Sequence, residues 1–158
     1  MLKVASFDIV FQEIPGEVTL ALNLSGCPCH CPGCHSKHLW EDTGEDLTDE
    51  LLTGLLDRYG AMITCVALMG GDQDPGEVLR LASVVKRHPS AVPLKTAWYS
   101  GRMAMPGEQG VLDFVKLGPY VESLGGLKSK TTNQRFYVFT PEGWIDDTAR
   151  FQKSTFPG

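Results

Sequence analysis

The sequence predicts an α/β fold in which a mostly parallel sheet forms an open, partial βα barrel. Strand-like and helix-like segments alternate along the chain, which is the pattern of parallel crossover units. The chain has 158 residues, whereas a closed eight-stranded barrel typically needs about 250. We therefore expect a single domain over residues 1–158 with too few strands to close the barrel.

The first half of the chain predicts two strands with a helix between them. Residues 18–24 alternate in polarity and are rich in strand-forming side chains. Thr48 is suited to cap a helix, and leucines recur on one face from there until Gly60. Residues 63–69 form an apolar run that ends at Gly70, as expected of a strand buried on both faces.

The second half continues the same alternation. Residues 77–86 carry apolar side chains at helical spacing and are followed by a proline, which predicts an amphipathic helix. Residues 92–99 predict a third strand, and residues 114–117 and 135–139 are later strand candidates.

Three loops follow the carboxyl ends of predicted strands, which is the edge where ligands bind in sheets of this kind. They are the cysteine-rich segment after residue 24, Gly70-Gly71-Asp72 and Ser100-Gly101. If the strands are parallel neighbours, the three loops line one mouth of the barrel. We therefore expect the functional site at this edge of the sheet.

Composition and charge disfavour several kinds of protein. Lys plus Arg total 14 against 19 Asp plus Glu, and the net charge of -5 has the wrong sign for binding nucleic acid through its phosphates. The chain has no apolar stretch of about 18 residues, and its first residues lack the zones of a signal peptide. We expect a cytoplasmic protein that binds neither nucleic acid nor a membrane.

Cysteine usage points to a metal centre. Four of the five cysteines, Cys27, Cys29, Cys31 and Cys34, lie within eight residues. In a reducing compartment such clusters are more often metal ligands than disulfides. Cys27, Cys31 and Cys34 have a Cys-x-x-x-Cys-x-x-Cys spacing that suits three ligands of an iron–sulfur cluster. The fifth, Cys65, lies in an apolar strand and is expected to be a core residue.

Structural zinc is the alternative that the same segment leaves open. Zinc prefers four closed, tetrahedral ligands. Cys29, Cys31 and Cys34 can supply three of them, with His35 or His38 as the fourth. The residues alone therefore allow both an iron–sulfur protein and a zinc-stabilised interaction domain.

Two motifs resemble those of radical S-adenosylmethionine enzymes. Residues 27–34 carry the cysteine signature, and Gly70-Gly71-Asp72 is similar to the glycine-rich motif found one crossover unit later. Further matches cover most of the chain and resemble the activating proteins of anaerobic ribonucleoside-triphosphate reductases. They comprise Asn23 to Cys27, Pro32 to His35, Trp40, Gly118 to Tyr120 and Thr131 to Arg135.

The resemblance implies a partial barrel of the radical S-adenosylmethionine type with one 4Fe–4S cluster. By analogy, Cys27, Cys31 and Cys34 hold three irons, and S-adenosylmethionine chelates the fourth through its amino and carboxylate groups. A fourth thiolate would occupy the position that S-adenosylmethionine needs. Cys29 therefore stays off the iron, and the resemblance assigns it no role.

The resemblance also implies a set of residues around S-adenosylmethionine. Gly70 and Gly71 would let the backbone approach its methionine moiety closely, and Asp72 would accept from its ammonium group. Gly33 and His35 would lie near its adenine. These five residues complete the candidate cofactor site.

The reaction and the partners follow from the same resemblance. Reductive cleavage of S-adenosylmethionine yields a 5'-deoxyadenosyl radical, which generates a glycyl radical on the large subunit of anaerobic ribonucleoside-triphosphate reductase. The chemistry belongs to the cluster and to S-adenosylmethionine rather than to a catalytic side chain. An external electron donor such as flavodoxin is also implied. Activation of another glycyl-radical enzyme, of the formate-lyase type, is the alternative within the same chemistry.

One polar segment is left with two interpretations. Residues 131–135 are unusually polar beside the apolar run that follows them. They can form a simple turn that enters a strand. The resemblance instead indicates contact with a cofactor or a partner.

Overall fold

The protein, seen here in a computed structural model, is built around a mixed sheet. The structure describes residues 2–11, 14–24, 45–89, 93–101, 111–118, 123–125, 127 and 129–151. Within these residues the sheet has eight strands. They are β1 (Lys3–Val10), β2 (Thr19–Leu24), β3 (Glu45–Asp46), β4 (Cys65–Met69), β5 (Lys95–Tyr99), β6 (Phe114–Leu117), β7 (Arg135–Thr140) and β8 (Gly143–Asp146).

The strand order is β3-β1-β2-β4-β5-β6-β7-β8. The central strands β2, β4, β5 and β6 are parallel neighbours, whereas both outer portions pair antiparallel. The sheet is thus mixed and not mostly parallel. The reason lies in the connections, because a parallel pair requires a long crossover and a short turn joins only antiparallel neighbours. Pro141 and Glu142 alone connect β7 to β8.

Three strands have no counterpart in the sequence predictions. Strands β1 and β8 carry exposed apolar side chains, Phe7 and Ile145, so neither shows the clean alternation of a half-buried strand. Strand β3 has two residues, both exposed. The strands predicted within residues 18–24, 63–69, 92–99, 114–117 and 135–139 are confirmed. Curvature into a radical S-adenosylmethionine barrel stays a prediction.

Helix α1 (Asp49–Tyr59) crosses from β2 towards β4, and its predicted start is confirmed. The Thr48 hydroxyl accepts a hydrogen bond from the backbone N–H of Leu51 at 3.1 Å. This satisfies one of the free donors at the helix start. The helix ends at Gly60 as expected.

Helix α2 (Pro75–Arg87) joins β4 to β5 and begins two residues earlier than the apolar pattern predicts. The Asp74 carboxylate accepts from the backbone N–H of Glu77 at 3.3 Å. Pro75 fits the first turn because its missing N–H would have no partner there. No helix in the described part of the chain is long and apolar enough to cross a membrane.

The two faces of the sheet are packed differently. One face packs against both helices, in a core that includes Leu22, Leu24, Leu52, Leu56, Leu68, Val78, Leu81, Trp98 and Val115. The opposite face carries a smaller cluster of Ile14, Cys65, Ala67, Ala97, Tyr99, Phe114, Phe136 and Phe151. Cys65 is fully buried there, and burial raises the pKa of its thiol. Its predicted role as a packing residue is confirmed.

Candidate functional site

The predicted cofactor residues divide into two groups. Cys27, Cys29, Cys31 and Cys34 lie in residues 25–44, outside the described residues. Gly33, His35 and His38 lie there as well. The roles of all seven stay predictions. Gly70-Gly71-Asp72 and Ser100-Gly101 are described, and they lie at the carboxyl ends of the adjacent parallel strands β4 and β5.

Gly70 and Gly71 form the turn after β4 and lie against the last residue of β2. Both have positive φ, at 103° and 81°, a conformation that residues with a Cβ adopt only with strain. A Cβ on Gly70 would lie 3.2 Å from the backbone oxygen of Leu24. A Cβ on Gly71 would lie 2.9 Å from Leu24 Cδ1 and 2.7 Å from Val78 Cγ2. The fold therefore requires both glycines, whatever ligand lies beside them.

Trp98 holds the same turn from the side of β5. Its indole Nε1 donates to the Gly70 backbone oxygen at 2.6 Å, and the Gly70 N–H donates to the Tyr99 oxygen at 3.0 Å. Trp98 and Tyr99 are both buried. The hydrogen bond from Trp98 to the glycine turn is a contact that the sequence does not reveal, because 28 positions separate the two residues.

Asp72 is buried, and its carboxylate joins the loops after β4 and β5. Oδ1 accepts from the Ser100 hydroxyl at 2.5 Å, and Oδ2 accepts from the Gly101 N–H at 3.0 Å. Asp72 is only 1% exposed. These two bonds fix the orientation of the carboxylate between the loops after β4 and β5.

Lys116 extends this polar layer to β6, the parallel neighbour of β5. Its Nζ donates to the backbone oxygens of Ser100 at 3.0 Å and Gly118 at 3.2 Å. It also lies 5.8 Å from the centre of the Tyr99 ring. Lys116 is not among the residues that the sequence predicts for the site. The available signal is a charged residue inside the otherwise apolar run of residues 114–117.

Register places several side chains in one row at this end of the sheet. Asn23 pairs with Met69, Met69 with Tyr99, and Tyr99 with Lys116. Paired residues point to the same face of a sheet, and Tyr99 belongs to the cluster on the face opposite the helices. The row therefore lines that face, next to the strand ends that carry Gly70, Asp72 and Ser100.

Comparison with known proteins identifies the kind of cofactor. A family model described as a 4Fe–4S single cluster domain matches residues 15–110, which is more than half of the chain. The chain belongs to the 4Fe–4S single cluster domain family. No curated protein and no solved structure shows a significant match. The matched range holds both the cysteine-rich segment and Gly70-Gly71-Asp72.

The cysteines of this 4Fe–4S domain offer the donor chemistry that a cluster needs, because thiolates are its usual ligands. Cys65 is unsuited to the role, since it is fully buried and burial opposes ionisation of its thiol. The candidate ligands are thereby reduced to Cys27, Cys29, Cys31 and Cys34. The family match favours a cluster over the zinc alternative.

The polar segment of the 4Fe–4S protein at residues 131–135 lies at the same end of the sheet. Arg135 pairs with Leu117, so the start of β7 is beside the end of β6. The side-chain amide of Gln134 donates to the Gly118 oxygen at 3.2 Å, and the Gln134 N–H donates to the Thr132 hydroxyl at 3.0 Å. The segment is therefore a turn that enters a strand, as one of the two interpretations predicts, and it borders the candidate site.

Proposed function

We propose that this 4Fe–4S protein is a radical S-adenosylmethionine activase. Its substrate would be the large subunit of anaerobic ribonucleoside-triphosphate reductase, on which it would generate a glycyl radical. Cys27, Cys31 and Cys34 would hold the cluster. Gly70, Gly71 and Asp72, together with Gly33 and His35, would hold S-adenosylmethionine.

The contact between Leu24 and the glycine turn carries this proposal. Leu24 is the last described residue before the cysteine-rich segment, and it packs against the positions where Gly70 and Gly71 lack a Cβ. Cys27 is three residues further along the chain. We therefore expect the first proposed cluster ligand to lie close to the glycine turn.

When bound, the cluster and S-adenosylmethionine supply a one-electron reductive cleavage that leads to hydrogen abstraction. The chain itself has to bind and orient. Asp72, held by Ser100 and Gly101, presents a carboxylate of fixed orientation to an ammonium group. Gly70 and Gly71 keep side chains out of the turn beside it.

The open sheet supports a protein as substrate. In the described strand order β3 and β8 are the two terminal strands and do not pair with each other, so that the sheet is not closed. The loops after β4 and β5 lie at one end of this open sheet. A partner's glycine-containing loop would approach there. An external electron donor, flavodoxin-like in its chemistry, would reduce the cluster.

Anaerobic purification provides the first test. The proposal expects a brown protein with broad absorption near about 400 nm, with iron and sulfide in equal amounts. With a reductant and S-adenosylmethionine, it expects methionine and 5'-deoxyadenosine as products. A colourless protein with stoichiometric zinc would instead identify a zinc-stabilised interaction domain.

The choice of partner needs a second experiment. The activated protein would be mixed in turn with the large reductase subunit and with a formate-lyase-type enzyme, and each mixture examined by electron paramagnetic resonance. A glycyl radical on the reductase that requires reductant and S-adenosylmethionine supports the proposal. A radical on the formate-lyase-type enzyme alone would assign the other partner, and cleavage with neither partner radical would reject both.

A further inference from the structure

We propose that Gln134 is a positioning residue that orients the Asp72 carboxylate from the far side of the site. It acts through a chain of hydrogen bonds that passes by Gly118, Lys116 and Ser100. The consequence for cofactor affinity rests on the proposed function, since S-adenosylmethionine is the ligand that Asp72 would bind. The coupling between Gln134 and the Asp72 loop concerns the protein alone and is testable without any cofactor.

The chain of contacts joins residues at the ends of four neighbouring strands, β7, β6, β5 and β4. The Gln134 amide donates to the Gly118 oxygen, which also accepts from the Lys116 ammonium. The same ammonium donates to the Ser100 oxygen. The Ser100 hydroxyl and the next backbone N–H, that of Gly101, then donate to the two oxygens of Asp72.

Burial makes the contacts at the two ends of this chain costly to lose. Gln134 is 7% exposed, while Ser100 and Asp72 are each 1% exposed. A buried carbonyl or amide that loses its partner bears a desolvation cost that an exposed group avoids. The side chains at both ends of the chain of contacts are thus held to one arrangement.

Gly118 is the point at which Gln134 acts. It has a φ of 110°, so the backbone turns sharply there at the end of β6. Its oxygen accepts from two donors, Gln134 just before β7 and Lys116 on β6. Without the amide the Gly118 carbonyl loses one of these two donors and is held less firmly, and the Lys116 ammonium, which bridges Gly118 to Ser100, shifts with it. The Ser100-Gly101 corner then holds Asp72 less firmly.

A comparable contact lies at the other end of β6. The Thr96 hydroxyl donates to the backbone oxygen of Val111, just before β6, and Thr96 is as buried as Asp72. Both this contact and that of Gln134 join a buried side chain to a backbone oxygen that flanks β6. They differ in their distance from the site. Thr96 is four positions before Ser100 along the chain, which corresponds to about 13 Å in a strand. Thr96→Val is therefore the control.

The experiment compares wild type, Gln134→Met, Gln134→Glu and Thr96→Val. Hydrogen exchange is measured first at the Gly101 amide, with no ligand added, and S-adenosylmethionine affinity is then measured by equilibrium dialysis of the cluster-loaded proteins. We expect the Gly101 amide of Gln134→Met to exchange about tenfold faster and its S-adenosylmethionine affinity to fall about tenfold, with iron content unchanged. Thr96→Val should lose stability while both site measurements stay at the wild-type value.

Gln134→Glu keeps the size of the side chain but replaces the neutral amide with an ionisable carboxyl group. Its ionised carboxylate donates no hydrogen bond, so it should change both site measurements in the same direction as Gln134→Met. This variant preserves the test if Gln134→Met does not fold.

The outcomes separate the two proposals. Unchanged exchange at Gly101 in both Gln134 variants, or an equal change in Thr96→Val, would overturn the positioning role. If the Gln134 variants exchange faster at Gly101 but the wild type binds no S-adenosylmethionine, the coupling is supported and the proposed function is rejected. Faster exchange with unchanged affinity would show that Gln134 does not position the group that binds the cofactor.

Discussion

The two ends of the parallel strands use charged side chains in different ways. At the amino end, oppositely charged groups contact each other, as in the ion pair of Lys95 with Glu17 at 3.0 Å. At the carboxyl end, Asp72 accepts from a hydroxyl and a backbone N–H, and Lys116 donates to two backbone oxygens. The bonds named at the carboxyl end hold charged side chains between neighbouring loops. We therefore expect substitutions at the amino end to change stability, and substitutions at the carboxyl end to change ligand binding as well.

The largest expected effect tests the segment that follows the carboxyl end of β2. Replacing Cys27, Cys31 or Cys34 singly by Ala should abolish cluster binding, because each variant lacks one of three thiolate ligands. Iron and sulfide analysis of anaerobically purified protein measures this. Cys29→Ala is the matched control and should retain the cluster and the cleavage of S-adenosylmethionine. A loss in Cys29→Ala equal to that in the other three would contradict the ligand assignment.

Gly71→Ala should destabilise the protein by about 3 kcal/mol, from backbone strain and from overlap of the new Cβ with Val78 and Leu24. Urea denaturation measures the change. The control is Gly54→Ala in α1, where a Cβ meets no atom within 4 Å. Because alanine favours a helix over glycine, that variant should gain up to about 1 kcal/mol. Equal effects at the two glycines would show that the turn after β4 does not require glycine.

Asp72→Asn should weaken S-adenosylmethionine binding about tenfold, because the amide keeps the size of the side chain but removes its negative charge. Equilibrium dialysis gives the affinity, and iron analysis should show an unchanged cluster content. An affinity equal to that of wild type would remove Asp72 from the cofactor site and leave it as a link between two loops.

Asp113→Ala probes the amino end. The Asp113 carboxylate accepts from the Lys86 ammonium and, at 2.9 Å, from the Thr96 N–H. Its removal should cost about 1 kcal/mol of unfolding free energy, since the ion pair is partly exposed. The affinity for S-adenosylmethionine should stay within twofold of wild type, roughly the scatter expected for a distant site. A larger loss of affinity would contradict the expectation that the amino end affects stability alone.

The smallest expected effect concerns the ion pair of Glu77 with Arg80 in the first half of α2. A hydrogen bond from Arg80 lowers the pKa of Glu77, with a smaller opposing effect of burial. Since the folded-state pKa is below the ordinary value, the stabilisation is fully present above about pH 4.3 and is lost as the pH falls through the folded-state pKa. Arg80 is largely exposed, so the contribution is about 0.5 kcal/mol. Denaturation of Glu77→Gln and wild type at neutral and acidic pH should show the two stabilities converging in acid.

Local patterns account for the elements that the sequence predicts correctly. The cap at Thr48 and the apolar face of α1 involve residues within one or two helical turns, and the buried run of residues 63–69 signals its strand by composition alone. Strands β1 and β8 are not predicted from the sequence, because each carries an exposed apolar side chain that interrupts the alternation of a half-buried strand. The antiparallel pairing of β6 with β7 is not predicted, because the sequence between the two strands has no periodic pattern that indicates their relative direction.

The candidate site can also be predicted from the sequence only in part. Gly70, Gly71, Asp72 and Ser100 are marked by their positions after predicted strands. The link from Asp72 to Ser100 spans 28 positions, and that from Gln134 to Gly118 spans 16. Such contacts require a particular strand order and register, which residue type does not encode locally. The contacts of Lys116 and Gln134 with the site are therefore known only once the order and register of the strands are known.

The sequence by itself determined the crossover units of the first three parallel strands, the helix start at Thr48 and the cysteine spacing that suits an iron–sulfur cluster. These depend on neighbouring residues and on the chemistry of thiolates. Only the tertiary structure decided that Gly71 is needed for packing and that Asp72, Lys116 and Gln134 belong to one hydrogen-bonded layer. The physical reason is that a hydrogen bond between two loops exists only where the register of the sheet brings donor and acceptor within about 3 Å.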